Sequence, residues 1–208
     1  MTTSPLEAAV AAARRGALIV LPTDTVYGVG TRPDDPAGTA AVFAAKERPA
    51  DLTLPVLVAS VEEARRLAVF DERADTVAAA CWPGPVTIVL PRTQAAAGFE
   101  LGGDPETIGV RVPDHPLALA VLASGPLAVT SANRSGEPPA TTCDQLLATF
   151  GDAVAVYLCE EEALEGRSST VLDLAHGPAR LLREGDVTAA ALARLLPGES
   201  PLLDSRSS

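Results

Sequence analysis

Aromatic side chains are scarce in this 208-residue chain, at 3% of residues with a single tryptophan. Any core must therefore be aliphatic, and Ala, Val and Leu carry most of the 47% hydrophobic content. That supply suits helices packed over a Val/Leu-rich sheet and argues against disorder. Positive charge is also short: 16 Lys and Arg face 27 Asp and Glu, for a net charge of −11 and a pI near 4.6. A general nucleic-acid surface should be basic, so the balance speaks against one, while leaving room for a local anion pocket made by a few arginines. With only His115 and His176, a histidine-rich metal site is disfavoured. Cys81, Cys143 and Cys159 are odd in number and widely spaced, which gives neither a disulfide framework nor zinc spacing; they read as small core residues. No apolar run reaches membrane-spanning length, and Glu7 with Arg14-Arg15 interrupts any leader-like segment, so the expected place is the cytoplasm. Neither Gly-x4-Gly-Lys-Ser/Thr nor Gly-x-Gly-x-x-Gly occurs, which removes a P-loop and a dinucleotide fingerprint.

What is there centres on Leu18-Ile-Val-Leu-Pro-Thr-Asp-Thr-Val-Tyr-Gly-Val-Gly30. Four apolar residues make a short buried strand, and Pro22 ends its pairing. Thr23, Asp24 and Thr25 then stand at the strand mouth, and Gly28 and Gly30 permit close approach of backbone or ligand. Hydroxyls and a carboxylate so placed can hold a small polar molecule; an ordinary polar turn explains them equally well.

Around this stretch, strand and helix signals alternate. Ser4-Pro5-Leu6-Glu7 is a capping box with proline at the first helical position, and Gly16 stops that helix. Further helices are predicted from Asp35-Pro36 to Lys46, after Ser60, over 71–80, 114–123, 142–150 and 188–196. Strands are predicted at 26–30, 54–59, 86–90, 107–112, 127–130 and 153–158, with a hairpin of 168–173 and 179–183 around His176-Gly177. Trp82-Pro-Gly-Pro85 reads as a rigid turn with Trp82 as a core wedge. This alternation gives an α/β domain over residues 1–196 with a twisted mixed sheet, followed by a tail at 197–208.

Polar residues recur at the ends of these elements: Thr23–Thr25, Lys46 and Arg48, Thr107 and Arg111, Ser131, Asn133 and Ser135, Ser168 and Ser169, and Arg183. Arginine forks match carboxylate or phosphate oxygens, and serines beside free backbone N–H groups can complete a phosphate cradle. Each has a plainer explanation. Lys46 and Arg48 suit a helix C-terminus, Ser131-Ala-Asn133 suits a capped turn, and Arg183 beside Glu184 suits a surface pair. His115 reads as a helix-start residue. Arg111 resists such treatment: it lies between Val110 and Val112, so its side chain points to the opposite sheet face, where a buried guanidinium needs a partner.

In order along the chain stand Pro22-Thr-Asp-Thr-Val-Tyr-Gly28, Lys46-x-Arg48-Pro, Trp82-Pro-Gly-Pro-Val-Thr87, Gly109-Val-Arg-Val-Pro-Asp-His-Pro116, Thr130-Ser-Ala-Asn-Arg-Ser-Gly136 and Ser169-Thr-Val-Leu-Asp173. This set closely resembles the YrdC/TsaC family of threonylcarbamoyl-AMP synthases over residues 6–194, in the family's single-domain form. The resemblance implies a twisted α/β sheet with a concave, positively lined pocket. It implies a nucleotidyltransferase that converts L-threonine, bicarbonate and ATP to L-threonylcarbamoyl-adenylate and pyrophosphate, for the t6A37 modification of tRNA. By the same resemblance Thr25, Arg111 and Ser169 hold threonine; Arg48, Thr107, Ser131, Asn133 and Arg183 contact ATP; and Lys46 with Arg48 act in catalysis. Mg2+ is expected to arrive with the triphosphate, with no protein metal cage. The product would pass to a downstream threonylcarbamoyl-transfer machinery, with no membrane partner and no tight direct tRNA binding. Leu52-Thr53, Leu57 and Pro139 depart from residues common in relatives. The alternative reading is an RNA- or nucleotide-binding paralogue without synthase activity.

Overall fold

The computed structural model describes residues 4–47, 49, 52–164 and 166–199. Its helices begin where the sequence supplies side-chain acceptors for their first, otherwise unpaired N–H groups. Helix α1 (Pro5–Arg14) has the reciprocal Ser4/Glu7 box, with Ser4 Oγ accepting from Glu7 N and the Glu7 carboxylate accepting from Ser4 N. Asp35 caps α2 (Pro36–Lys46), Ser60 caps α3 (Val61–Leu67), and Asp71 caps α4 (Glu72–Cys81). His115 is the N-cap residue of α5 (Pro116–Leu122), as its position before Pro116 suggests, although its side chain makes no capping bond. Thr142 and Thr188 cap α6 (Cys143–Phe150) and α7 (Ala189–Leu195).

Among the described residues the strands form one nine-stranded mixed sheet. In chain order they are β1 (Ile19–Leu21), β2 (Gly28–Thr31), β3 (Val56–Leu57), β4 (Val86–Pro91), β5 (Thr107–Arg111), β6 (Leu127–Ser131), β7 (Val156–Tyr157), β8 (Thr170–Asp173) and β9 (Arg180–Arg183). Their spatial order is β7-β1-β2-β6-β3-β5-β4-β8-β9. The pairs β1–β7, β3–β5 and β4–β8 are parallel; the others are antiparallel. The runs at 54–59 and 153–158 keep only two ladder residues each; single backbone bonds extend them at both ends, from Leu54 N to Leu101 O and Val58 N to Arg111 O, and from Ala155 N to Leu18 O and Leu158 N to Val20 O.

Strand alternation divides the side chains between two faces. Val86, Ile88 and Leu90 of β4, Ile108 and Val110 of β5, and Leu172 of β8 join one large core with α2, α4 and α7. Trp82 enters that core, donating its indole N–H to Val86 O at 2.6 Å, and its bond to Pro83 is cis. On the opposite face a second core gathers Ile19, Leu21, Leu127 and Val129 under Ala9, Ala12 and Ala13 of α1 and Val121 and Leu122 of α5. That cover stops near β3. The rest of the face, over β5, β4, β8 and β9, carries no helix among the described residues.

One reading needs correction. Cys143 and Cys159 form a disulfide rather than serving as separate core residues, and only Cys81 is free. The spacing hid the pair because α6 turns its first residue back onto the segment leaving β7, a contact that no local pattern announces. The bridge lies beside a backbone bond from Leu164 N to Thr141 O, so residues 141–143 and 159–164 are tied twice. Glu199, inside the expected tail, is docked: its carboxylate accepts from Arg73 Nη1 at 3.0 Å and from Ala179 N. Residues 200–208 lie outside the described residues.

Candidate functional site

The uncovered part of the sheet face floors a cavity of about 440 Å³, within the range of small-molecule sites. Because alternate residues share a face, the floor is Thr107, Gly109 and Arg111 of β5, Thr87 and Val89 of β4, and Val171 and Asp173 of β8. The register places Thr87 opposite Val171, and Val89 opposite both Gly109 and Asp173. The cavity therefore has two ends, one at Arg111 and Thr87 and the other at Thr107. Strand β6 runs antiparallel to β3 from Leu127 opposite Leu57, so Ser131 lies towards the Thr107 end.

The Arg111 end is a buried polar cluster. Arg111 is 5% exposed, with Val110 and Val112 in the core behind it, as the alternation requires. Its Nε donates to Gly84 O at 2.9 Å, Nη1 to Thr25 Oγ1 at 3.1 Å and Nη2 to Asp24 Oδ1 at 2.6 Å. Burial lowers its pKa and the Asp24 charge opposes that shift; the guanidinium stays ionised. Of its five N–H donors, these bonds leave one on each terminal nitrogen. Thr23 Oγ1 stands 3.0 Å from Thr25 Oγ1, and Asp24 also accepts from Asp114 N at 3.0 Å, so the loop is fixed before any ligand arrives. Residue 166 crosses directly over Thr25: a Cβ there would sit 1.4 Å from Thr25 O, which only glycine avoids.

Ser169 and Arg183 join this end. Arg183 donates from Nε to Ser169 O at 2.9 Å and from Nη2 to Ser169 Oγ at 3.0 Å, while Ser169 Oγ lies 3.3 Å from Thr87 Oγ1. The structure thus brings Thr25, Arg111, Ser169 and Arg183 to one side of the cavity, with Thr107 and Ser131 at the other. Lys46 and Asn133 stand behind Ser131 and are not among the cavity-lining residues. Lys46 is buried, and its Nζ donates to Ser131 O, to Asn133 O at 2.5 Å and to Asn133 Oδ1 at 3.3 Å. Its own carbonyl accepts from Ser135 N at 2.9 Å, which locks the end of α2 to the loop after β6. Arg48, expected beside Lys46, lies outside the described residues.

Sequence reasoning missed a second charged group. Asp104, Asp173, His176 and Arg180 all line the cavity. Asp173 is buried and accepts from Ala175 N at 2.9 Å, His176 Nδ1 at 2.9 Å and Arg180 Nη2 at 2.7 Å. Burial pushes its pKa up, but the bonds from Arg180, His176 and Ala175 outweigh this and the net direction is down. The alternation of Ser169, Val171 and Asp173, which puts all three on one face, was the available signal. Asp24 was likewise visible between the two threonines but gave no hint of Arg111. Among the described residues no group of three or more His, Cys, Asp or Glu is arranged to hold a metal ion, and no helix is long and apolar enough to cross a membrane.

The model of the Sua5/YciO/YrdC family, described as telomere recombination, matches residues 11–185. The chain belongs to this family. It is 40% identical over 174 residues to the threonylcarbamoyl-AMP synthase of Chromohalobacter salexigens, covering 81% of this chain and 92% of that one. Pyrococcus abyssi Sua5 complexed with L-threonine superposes with a TM-score of 0.83 at 34% identity over 97% of this chain. The match spans 60% of that longer protein. E. coli YciO shares the fold, with a TM-score of 0.83 at 23% identity, covering 92% of this chain and 95% of its own.

Proposed function

We propose that this chain makes L-threonylcarbamoyl-AMP and pyrophosphate from L-threonine, bicarbonate and ATP, supplying the t6A37 modification of tRNA in the cytoplasm. The observation that carries the reading is the buried Arg111 fork, held by Thr25 and Asp24 at the floor of a small-molecule cavity, in a fold whose relative Sua5 takes L-threonine. Arg111 grips the threonine carboxylate with its two remaining N–H donors. Thr25 and Ser169 orient the rest of the amino acid. Thr107 and Ser131 receive the nucleotide, with Asn133 and Arg48 assigned to it as well; Arg183, beside Ser169, contacts it where the two substrates meet; and Lys46 with Arg48 is assigned the phosphates, Lys46 through the Ser131–Asn133 loop that it holds.

The chemistry needs those residue types. The threonine amine takes up carbon from bicarbonate to become an N-carboxylate, releasing water. An oxygen of that carboxylate attacks the α-phosphorus, and the bond to the pyrophosphate oxygen breaks. Two anions must meet, and fixed cations and N–H donors offset their repulsion while holding the attack in line. No side-chain nucleophile is required. Mg2+ accompanies the triphosphate as part of the substrate. The product then passes to a threonylcarbamoyl-transfer machinery. The chain's negative charge, −11, repels a polyanion, so this chain does not itself hold tRNA tightly.

Pyrophosphate release and mass spectrometry test the assignment together. The expected result is release that requires threonine and bicarbonate at once, with the adenylate detected as product. Equal ATP cleavage with either omitted would make the chain a nucleotidase. Salt-sensitive, sub-micromolar tRNA binding would favour an RNA-binding module instead.

A further inference from the structure

His176 joins two parts of the cavity wall that are far apart in sequence. It lies in the turn between β8 and β9, with Nδ1 2.9 Å from Asp173 Oδ2 and Nε2 3.1 Å from Asp104 Oδ2. Asp104 belongs to the loop that enters β5, and its carbonyl accepts from Thr107 N at 3.3 Å. The bridge therefore spans the Thr107 end of the cavity. Both ring nitrogens face carboxylates, so both must carry a proton for both bonds to exist. That species is the imidazolium. A neutral ring has one N–H. Asp173, buried and at the shorter distance, keeps it on Nδ1, and the Nε2 lone pair then faces the Asp104 carboxylate and repels it.

We propose that Asp104 and His176 form a proton-operated clasp that positions the nucleotide end of the cavity, with His176 as a positioning residue acting through Asp104 and Thr107. The proposal rests on the nucleotide assignment made above and adds to it a control on one substrate. With the ring protonated, the loop entering β5 is held to the β8–β9 turn, and one more positive charge faces the cavity beside Arg180. With the ring neutral, that loop is released and the charge is lost. Both changes act in the same direction, weakening nucleotide binding as pH rises. Threonine, held at the Arg111 end, does not sense the clasp.

The surroundings support this direction. The His176 pKa is raised by its hydrogen bond to Asp173 and then by that to Asp104. The Asp104 pKa is lowered by Glu106 N and by His176. The charged groups facing the ring are these two carboxylates, with Arg180 paired to Asp173 from β9. Arg73 of α4 reaches the same turn through the carbonyls of Leu174 and Gly177 and through Glu199, whose carboxylate it pairs with and which accepts from Ala179 N. A raised folded pKa means that the clasp is complete below the ordinary histidine value of about 6.5 and is lost as pH rises through the folded value.

Two measurements on the full chain test this. Only His115 and His176 contribute imidazole signals to an NMR titration. The expected result is a His176 pKa above the ordinary value that falls in Asp104→Asn, with the Thr107 amide shift following the same titration. An ordinary His176 pKa, or a Thr107 amide that ignores it, overturns the clasp. In the second, a non-hydrolysable ATP analogue is titrated by calorimetry between pH 6 and 8.5 without threonine. Wild type should lose about threefold to tenfold in affinity across that range beyond any loss in His176→Gln, the size of one half-exposed charge contact. The variant comparison removes the titration of the triphosphate itself. Equal pH dependence in the two proteins, or a parallel change in threonine affinity, overturns the positioning role. An intact clasp by NMR with no nucleotide binding at any pH overturns the nucleotide assignment instead, and this role with it.

Discussion

One face of one sheet serves two purposes in this molecule. Over β1 and the start of β6 it is aliphatic and sealed by α1 and α5; over β5, β4, β8 and β9 it mixes polar and small apolar residues and opens to the cavity. The strands are continuous across the boundary and share one backbone ladder. What changes is the residue at every second position: Ile19 and Leu21 on β1 and Leu127 on β6, but Thr107 and Arg111 on β5, with Leu57 and Val129 at the boundary touching both the second core and the cavity. A helix laid on the second set would close off the donors that the already buried Arg111 and its neighbouring hydroxyls keep for the cavity, without adding partners, at a cost of several kcal/mol. The polar set thus keeps its own roof off, and the cavity is what remains.

The largest effect should come from the sealed half. Leu122→Ala removes a fully buried side chain between α5 and the sheet and should lower stability by about 2–5 kcal/mol in a denaturant melt. Threonine affinity of the fraction that stays folded should not change. If affinity falls in step with stability, the two halves are not independent.

The disulfide comes next. It closes a loop of 16 residues at the β7 edge, and a loop of that length gives about 3 kcal/mol of constraint on the unfolded chain. Cys143→Ser should lower the melting midpoint accordingly. Thiol titration of the denatured native protein should find one thiol before reduction and three after.

On the bare half, Arg111→Lys keeps the charge but loses the fork. Charge-assisted bonds are worth about 1.5–3 kcal/mol, so threonine binding should weaken by about one to two orders of magnitude. ATP affinity should change much less. A variant that folds normally, loses ATP and keeps threonine would reverse the division of the cavity.

The smallest effect is acid sensitivity at Asp173. Its folded pKa is depressed, so its contribution is present above the ordinary value near 4 and lost as pH falls through the folded value. Its partners Arg180 and His176 are about half exposed, which limits the loss to about 1 kcal/mol or less. Asp173→Asn should flatten the acid limb of a stability–pH curve by that amount.

Much of this was legible because the signals are local. The capping residues Ser4, Asp35 and Ser60 declare their helices, and alternation alone sends Arg111 to the face opposite Val110 and Val112. The ordered motifs carried the family and, with it, the candidate site. What escaped depends on long-range pairing. The Cys143–Cys159 bridge and the Asp24–Arg111 ion pair join residues that only the assembled sheet brings together. The Asp104–His176 bridge is of the same kind: neither residue sits in a pattern, and their meeting is set by the register of β5, β4 and β8.

The central claim is that the bare half of the sheet face grips an amino-acid carboxylate. It is tested most directly by calorimetric titration of the unaltered protein with L-threonine and with L-threoninol, which keeps the amine, hydroxyl and methyl but lacks the carboxylate. The account predicts saturable binding of threonine and at least about tenfold weaker binding of threoninol, the loss of one or more charge-assisted bonds to Arg111. Equal affinity for the two, or no threonine binding at all, would contradict it.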